Sequence, residues 1–379
     1  MKKRSIDTFF FSLVIALSVI GFLLFFSVSL GTLSSTETFF LTVVKQLIAF
    51  LIGFGALIFI AKSTLVDYKK LKYASLGIFI VTVGFQLLVF IPGLGVSVNG
   101  ANRWIDVGLT TLQPSEFLKI GVVIFLAALL ATYKKKLTSF QHLIIVMSIT
   151  IGIAFVLLFV TKDIGTFVVI AIATFCMLLA SHAKNSHLIL LAGGGFSALL
   201  LLIYFFRRYA WDRIMSFGGI TQDALGSDFQ INQSLYTIGS GEIFGRGFGQ
   251  SLQKFGYLPE PLNDSIFAIV AEEWGFTGSV IIIIIFTTLI LRGLYIASQA
   301  RDIFGTYLVI GLVVLIGAQS FINIAAMLKL FPLSGMPLLF VSQGGSAVLS
   351  VLIICGLVLN VSRTMKPARK KKTRKRKST

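Results

Sequence analysis

Charge is what this 379-residue chain has least of: 13% of its residues are Asp, Glu, Lys or Arg, and 15 are acidic, against 56% hydrophobic. A soluble globular enzyme carries about a quarter charged residues. That class is excluded, and a mean hydropathy of +0.93 fits a polytopic membrane protein. The two cysteines, Cys176 and Cys355, both fall in apolar runs, which rules out a disulfide framework. The three histidines, His142, His182 and His187, sit at loop edges without zinc-ligand spacing. These five are read as packing and interfacial residues. Polar sequence is also scarce: the longest non-apolar stretch, Arg207 to Asp264, is 58 residues, too short for a sizeable soluble domain.

What remains is hydrophobic runs of membrane length. Runs near 20 residues, enough to cross ~30 Å of hydrocarbon as a helix, lie at about 8–30, 38–61, 73–92, 115–132, 141–160, 164–181, 188–206, 266–291, 303–328 and 342–362. The expected fold is an all-α polytopic membrane protein of about ten transmembrane helices. With a cytoplasmic N-terminus, 23 of the 33 basic residues and only three acids (Asp7, Asp67, Asp302) fall on the inner side. The positive-inside rule then holds at every short inner loop. Both termini are expected in the cytoplasm, with one large extracytoplasmic loop between helices 7 and 8. Residues 1–365 form the membrane domain and 366–379 a basic cytoplasmic tail, whose run Arg369 to Lys377 suits an anionic inner leaflet. No nucleic-acid partner is expected, because no stacking aromatics accompany the tail. The basic start followed by an apolar run imitates a signal peptide, but at about 22 residues it exceeds a typical h-region and reads as the first helix.

Three outward segments concentrate the polar chemistry. The first, about 92–115, ends in Gln113-Pro-Ser-Glu116, a helix start in which Pro114 sets φ while Ser115 and Glu116 offer acceptors to free amides. Glu116 and Lys119 then share a helix face. The second, 207–264, holds enough apolar residues to pack on the membrane, with helical spacing from Asp228 to Ile238 and glycines at 239, 241, 245, 247 and 249. Its glycine run lacks the strand that a dinucleotide loop needs, but its amides beside Arg246 and Lys254 could meet an anionic head group. The third, 329–346, carries two prolines and Gly344-Gly345. Irregular backbone at that depth must line a cavity or be buried in protein, so the three segments are expected to share a pocket.

Four motifs, Asn99-Gly-Ala-Asn-Arg-Trp-Ile…Gln113-Pro-Ser-Glu-Phe-Leu-Lys119, Thr161-Lys-Asp-Ile-Gly-Thr166, Gly249-Gln-Ser-Leu-Gln-Lys…Glu-Glu-Trp-Gly275 and Pro332-Leu-Ser-Gly-Met-Pro…Ser-Gln-Gly-Gly-Ser346, occur in this order over nearly the whole chain. Together they resemble the SEDS family (shape, elongation, division and sporulation). Its members are polytopic glycosyltransferases that polymerise lipid II into peptidoglycan. Residues 249–254 resemble its division-type members more than its elongation-type members. The resemblance implies that Asp264 is the family's essential outer-loop aspartate. It also implies a class B penicillin-binding protein as transpeptidase partner, association with division proteins, and a bacterial plasma (inner) membrane location. Two departures stand out. Leu262-Asn263-Asp264-Ser265 replaces the usual His-Thr-Asp-Phe, and Gln343 stands where an aromatic is common.

In this chemistry the C4 hydroxyl of one lipid-linked disaccharide attacks the anomeric carbon of another and expels undecaprenyl pyrophosphate. One carboxylate suffices as base, and Asp264 is the candidate; read from the residues alone, it serves equally well as an N-cap for the following span. The leaving group needs positive charge, from Arg103, Lys119, Arg213, Arg246 or Lys254, or from a bound Mg²⁺ or Mn²⁺. Glu116 and Ser342 complete the expected substrate-binding set, no organic cofactor is expected, and Glu272 or Glu273 could supply a second acid. Broken helices with intramembrane charge also serve transporters, so a lipid II flippase is the rival of another class, and a non-catalytic division scaffold a third.

Overall fold

The computed structural model describes residues 5–33, 35–63, 66–98, 101–108, 111–220 and 226–365; the basic tail at 366–379 lies outside them. In chain order the helices are α1 (Thr8–Thr32), α2 (Thr36–Lys62), α3 (Tyr68–Leu87), α4 (Ser115–Thr132), α5 (Phe140–Met147), α6 (Ile153–Val160), α7 (Ile164–Leu179), α8 (Asn185–Phe206), α9 (Arg208–Phe217), α10 (Ser227–Ser240), α11 (Ile266–Ser298), α12 (Ile303–Met327) and α13 (Gly345–Ser362). A π-turn, Ser148–Gly152, joins α5 and α6 into one crossing. Among the described residues nine helical segments are long and apolar enough to span a membrane, and the 16-residue α7 is the tenth and shortest. The protein is a multi-pass membrane protein. Ten crossings put Asp7 and Arg363 on one face, the near face, and the segments 91–114, 207–265 and 328–344 on the opposite, far face.

An ion pair and a hydrogen bond between α1 and α11 measure the apolar slab. Arg292 pairs with Asp7 at 2.6 Å at the near end, and Ser27 Oγ donates to Glu273 Oε2 at 2.6 Å at the far end. The intervening helix from Asp7 to Ser27 rises about 30 Å, the thickness of the hydrocarbon core. By the same rise, α11 begins about 10 Å beyond Glu273. Asp264 therefore sits at head-group depth.

Helices α4, α12 and α13 are largely enclosed by their neighbours, whereas α8 is exposed along most of its length. Helix α13 packs on α2 through small residues: a Cβ at Gly356 would lie 3.1 Å from the Leu57 Cα. Without a hydrophobic driving force between helices in lipid, such close backbone approach is what holds them together. At the near face, Asn360 donates to the Ile60 and Val66 carbonyls and accepts from Tyr68 N–H, which fixes the α2–α3 connection.

The first outward segment is not the irregular loop expected. It folds as an antiparallel sheet in the order β1 (Gly95–Val98), β2 (Ala101–Asp106), β3 (Thr111–Leu112), with Val96 opposite Trp104 and Ile105 opposite Leu112. Ala101 and Ile105 are buried while Asn102 and Asp106 are exposed. The sheet is tethered where Gln113 N–H donates to Ser346 Oγ of α13 at 2.9 Å. The expected cap of α4 also differs. No side chain caps it, because Ser115 Oγ donates instead to Asp163 at 2.8 Å and Glu116 pairs with Lys119.

Helix α11 is broken at Gly275, where φ is +68° and ψ −168°. The broken turn is completed from outside: Phe276 and Thr277 N–H donate to the Glu242 and Ile243 carbonyls, while Arg246 and Gly247 N–H donate to the Glu272 and Glu273 carbonyls. Backbone groups freed at lipid depth require such partners. A Cβ at Gly275 would lie 2.3 Å from Gly245 N, whereas one at Gly84 in α3 meets nothing within 4 Å. Gly275→Ala is therefore expected to destabilise the protein by at least ~2 kcal/mol, while Gly84→Ala stabilises it by about 0.5–1 kcal/mol. Thermal unfolding in detergent checks both, and equal midpoints would refute the contrast.

Candidate active site

The segment Glu260–Ser265 is a tight turn, in which Asn263 and Ser265 N–H donate to the Glu260 carbonyl. Two elements, α12 and the third outward segment, hold its backbone. Asn323 Nδ2 of α12 donates to the Asp264 carbonyl at 2.8 Å and to the Met336 carbonyl at 2.7 Å. Ser342 Oγ donates to the Asn263 carbonyl, and Gln343 N–H donates to the Leu262 carbonyl at 2.8 Å. The third outward segment thus packs directly on the second, as a shared pocket requires. Asp264 does not cap α11: the N-cap is Ser265, and it makes no side-chain cap bond.

The Asp264 carboxylate is buried. Its Oδ1 accepts from Gln230 Nε2 of α10 at 3.2 Å. Its Oδ2 lies toward Arg213 across Gly335, where an added Cβ would be 3.9 Å from both Oδ2 and Arg213 Nη1. Burial pushes the carboxyl up to about 6, the charge of Glu260 adds to this, and Arg213 and Gln230 pull the other way. Burial lowers Arg213 from its usual range, with Arg103 also acting downward and Tyr209 and Asp264 acting upward. A guanidinium keeps its charge under such shifts.

Arg213 belongs to a set of three. It donates to the Leu333 carbonyl at 2.9 Å and stacks on Tyr209, 4.3 Å from the ring centre. Arg103, on β2, donates to the Lys162 carbonyl. Arg207 donates to the Phe159 carbonyl and stacks on the Phe159 ring at 4.5 Å. Their hydrogen-bond acceptors are mainly backbone carbonyls, which carry no formal charge, and among the described residues none of the three is in an ion pair. Each also has a buried Nε with no hydrogen-bond partner. Sequence reading missed Arg207; it adjoins Arg208 at the start of the long loop, with nothing local to distinguish the two, and only the fold separates a half-buried guanidinium from an exposed one.

The other expected cations are neutralised. Lys254, fully buried, pairs with Glu273 at 3.0 Å and donates to the Ser27 and Gly249 carbonyls. Arg246 lies 3.6 Å from Glu272, whose carboxylate also accepts from Ser251 Oγ and Leu252 N–H. Within the glycine run the amides of Gly245, Arg246 and Gly247 are engaged, the last two by α11. Glu272 and Glu273 are likewise committed, so neither is placed as a second acid. Inside the bundle, Lys119 pairs with Glu116 at 2.9 Å and donates to Gln319 Oε1, while Ser350 donates to Glu116. Gln319 Nε2 in turn donates to the Pro337 carbonyl. The pair supports the third outward segment from below.

Among the described residues no group of three or more His, Cys, Asp or Glu could hold a metal ion. Around Asp264 the one neighbouring carboxylate among the described residues, Glu260, accepts from Asn263 Nδ2 at 2.7 Å, and Arg213 supplies the opposing charge. These residues do not fit a resident Mg²⁺ or Mn²⁺.

A family model for FtsW, RodA and SpoVE, described as "Cell cycle protein", matches residues 7–367. The chain belongs to this family. Among curated relatives of this FtsW/RodA/SpoVE chain, it is 37% identical over 364 residues to stage V sporulation protein E of Bacillus subtilis strain 168, covering 96% of this chain and 98% of the relative. It is 31% identical to the probable peptidoglycan glycosyltransferase FtsW of the same organism, covering 98% and 95%. Its fold matches a chain of a peptidoglycan synthase complex that coordinates polymerization and crosslinking, with TM-score 0.74, 23% identity and coverage of 94% and 98%. It also matches the rod shape determining protein RodA of Thermus thermophilus, with TM-score 0.66, 22% identity and coverage of 94% and 97%.

Lys254 and Glu273 are both essentially inaccessible. Removing one partner of such a pair leaves a buried charge alone, at a cost of roughly 3–5 kcal/mol. Lys254→Met is expected to lower stability by that amount, and adding Glu273→Gln to restore much of it. Chemical denaturation in detergent measures both; a double variant no better than the single would contradict the ion-pair account.

Proposed function

We propose that this protein is a peptidoglycan glycosyltransferase that polymerises lipid II, with Asp264 as general base. The observation that carries this reading is a buried, raised carboxylate, bonded by Gln230 on a turn whose backbone is held by α12 and the third outward segment, with the guanidinium of Arg213, in no ion pair among the described residues, across Gly335. Relatives named probable peptidoglycan glycosyltransferase, matching along almost the full chain, support the reaction class. In this reading the acceptor sugar's C4 O–H loses its proton to Asp264. Its oxygen bonds the donor's anomeric carbon with inversion as the bond to undecaprenyl pyrophosphate breaks. Arg213, with Arg103 and Arg207, faces the charge that develops on the pyrophosphate. Gly335 keeps the space between base and cation open.

The remaining parts of the reading follow from charge and kinship. The near face, bearing both termini, is cytoplasmic, since it carries the basic excess, and the site faces outward from the bacterial plasma membrane. A class B penicillin-binding protein is the proposed partner, supported by the fold match to a complex that couples polymerization with crosslinking. Septal synthesis is the proposed setting, supported by the FtsW and SpoVE relatives; elongation is the alternative within the family.

Asp264→Asn is expected to reduce glycan formation from purified lipid II by about 10²–10⁴-fold, read on gels. The base works only when ionised. With its carboxyl raised to about 6, the rate should fall roughly tenfold per pH unit below pH 6 and level off above pH 7. Undiminished polymerisation by the variant would remove Asp264 from the chemistry. Lipid translocation in liposomes that survives Asp264→Asn, without polymer, would favour a flippase.

A further inference from the structure

We infer that Gln230 is the positioning residue of this site: its side-chain amide pins Asp264 Oδ1 and so leaves Oδ2, on the side of Arg213, as the oxygen that receives the proton. This rests on the general-base reading of Asp264 and deepens it. Gln230 Nε2 donates to two acceptors, Asp264 Oδ1 at 3.2 Å and Ser265 Oγ at 2.9 Å. An ionised carboxylate only accepts, so the amide nitrogen must face it.

The amide is held on a fixed support. Helix α10 buries Ile231, Ser234 and Thr237, and Ser234 Oγ donates to the Gln230 carbonyl at 2.8 Å and contacts Met327 Sδ of α12. The second bond, to the fully buried Ser265, stops the amide from following a rotating carboxylate. With Oδ1 occupied, the carboxylate plane is set and one oxygen is presented to the space beside Gly335. A base must be oriented to within hydrogen-bond reach of its proton before its basicity matters.

Among the described residues the charged groups that face Asp264 are Glu260 from its own turn and Arg213 from α9, with Arg103 of β2 acting on Arg213. Helix α12 contributes the neutral Asn323, and the segment at Leu333–Met336 contributes carbonyls and Gly335. Gln230 is thus the neutral side-chain donor to the carboxylate, beside Asp264's own backbone N–H, and both bonds favour the ionised form.

The test is the initial rate of lipid II polymerisation by the full-length protein in nanodiscs between pH 5.5 and 8.5, for wild type, Gln230→Leu, Gln230→Glu and Asp264→Asn. Removing a donor to a carboxylate should move the acid limb of the profile upward by about one pH unit. Gln230→Leu is then expected to lower kcat at every pH, through lost orientation, and several-fold more at pH 6.5 than at pH 8.5, with KM for lipid II little changed. Gln230→Glu keeps the shape but sets a second acid against Asp264, and should move the limb further upward; it decides the matter if the leucine variant fails to fold. A limb unmoved in both variants, or a uniform loss at every pH, overturns the inference while leaving Asp264 in place. Activity retained by Asp264→Asn overturns the underlying reading instead.

Discussion

No backbone group or charge can be left unpartnered at the lipid boundary, and the break in α11 at Gly275 makes that constraint acute. The helix gives up its own ladder about half a turn inside the level set by Ser27 and Glu273. The segment 242–247 folds back to supply the missing donors and acceptors. To stay there the returning chain needs its own anchor, and the buried Lys254 provides it, bonded to Glu273 of α11 and the Ser27 carbonyl of α1. The long loop is therefore part of the helix it interrupts. The elements on either side of the docked segment, α10 and the Glu260–Ser265 turn, are set by this docking, and they are what bring Gln230 against Asp264.

The same constraint sorts the cations. Where a basic side chain lies beside a carboxylate, as Lys119, Lys254 and Arg246 do, its field is cancelled locally and its task is to hold elements together. Where the partner is a carbonyl, as for Arg103, Arg207 and Arg213, the hydrogen bond fixes the geometry without removing the charge. Planar guanidinium groups suit this arrangement, since one edge can bind the protein while another meets phosphate. Two sets of positive residues that look alike in the sequence thus divide into a framework and a field. Asp264 belongs with the second, because the charge of Arg213 opposes part of the cost of burying it.

Most of the architecture was legible because lipid imposes a coarse rule. A run of about 20 apolar residues has few alternatives to a helix, and the observed helices agree with the expected spans to within a few residues, except where α11 runs on to Ser298 and α3 begins at Tyr68. The amphipathic spacing of Asp228–Ile238 was likewise enough to place α10. The small sheet was not legible: its strands are two to six residues long, and Gly95, Asn99 and Gly100 read as loop. Asp264 was found through the family motifs and the expense of acids near a membrane. Arg213 was legible as an outward cation, but Gln230 and Asn323 were not, because they come from separate helices that only the folded chain brings against Asp264. The capping role expected of Ser115 and Glu116 failed for a related reason. Each found a tertiary partner, Asp163 or Lys119, that local sequence could not announce.

The Leu262-Asn263-Asp264-Ser265 departure becomes intelligible in these terms. Leu262 is buried in the apolar cluster, so its side chain is directed away from the polar pocket. Asn263 turns its amide to Glu260 at 2.7 Å, holding in place a carboxylate whose charge raises Asp264. Ser265 offers in place of the family's usual phenylalanine a hydroxyl that receives the second bond of the Gln230 amide. A phenyl ring there has no acceptor to give, and the amide would keep one anchor instead of two. The substitutions flanking Asp264 thus leave its carboxylate oriented by neutral hydrogen bonds, from groups whose charge does not change with pH. A base set this way keeps its geometry through the pH range in which it titrates, where a histidine neighbour would itself gain or lose charge.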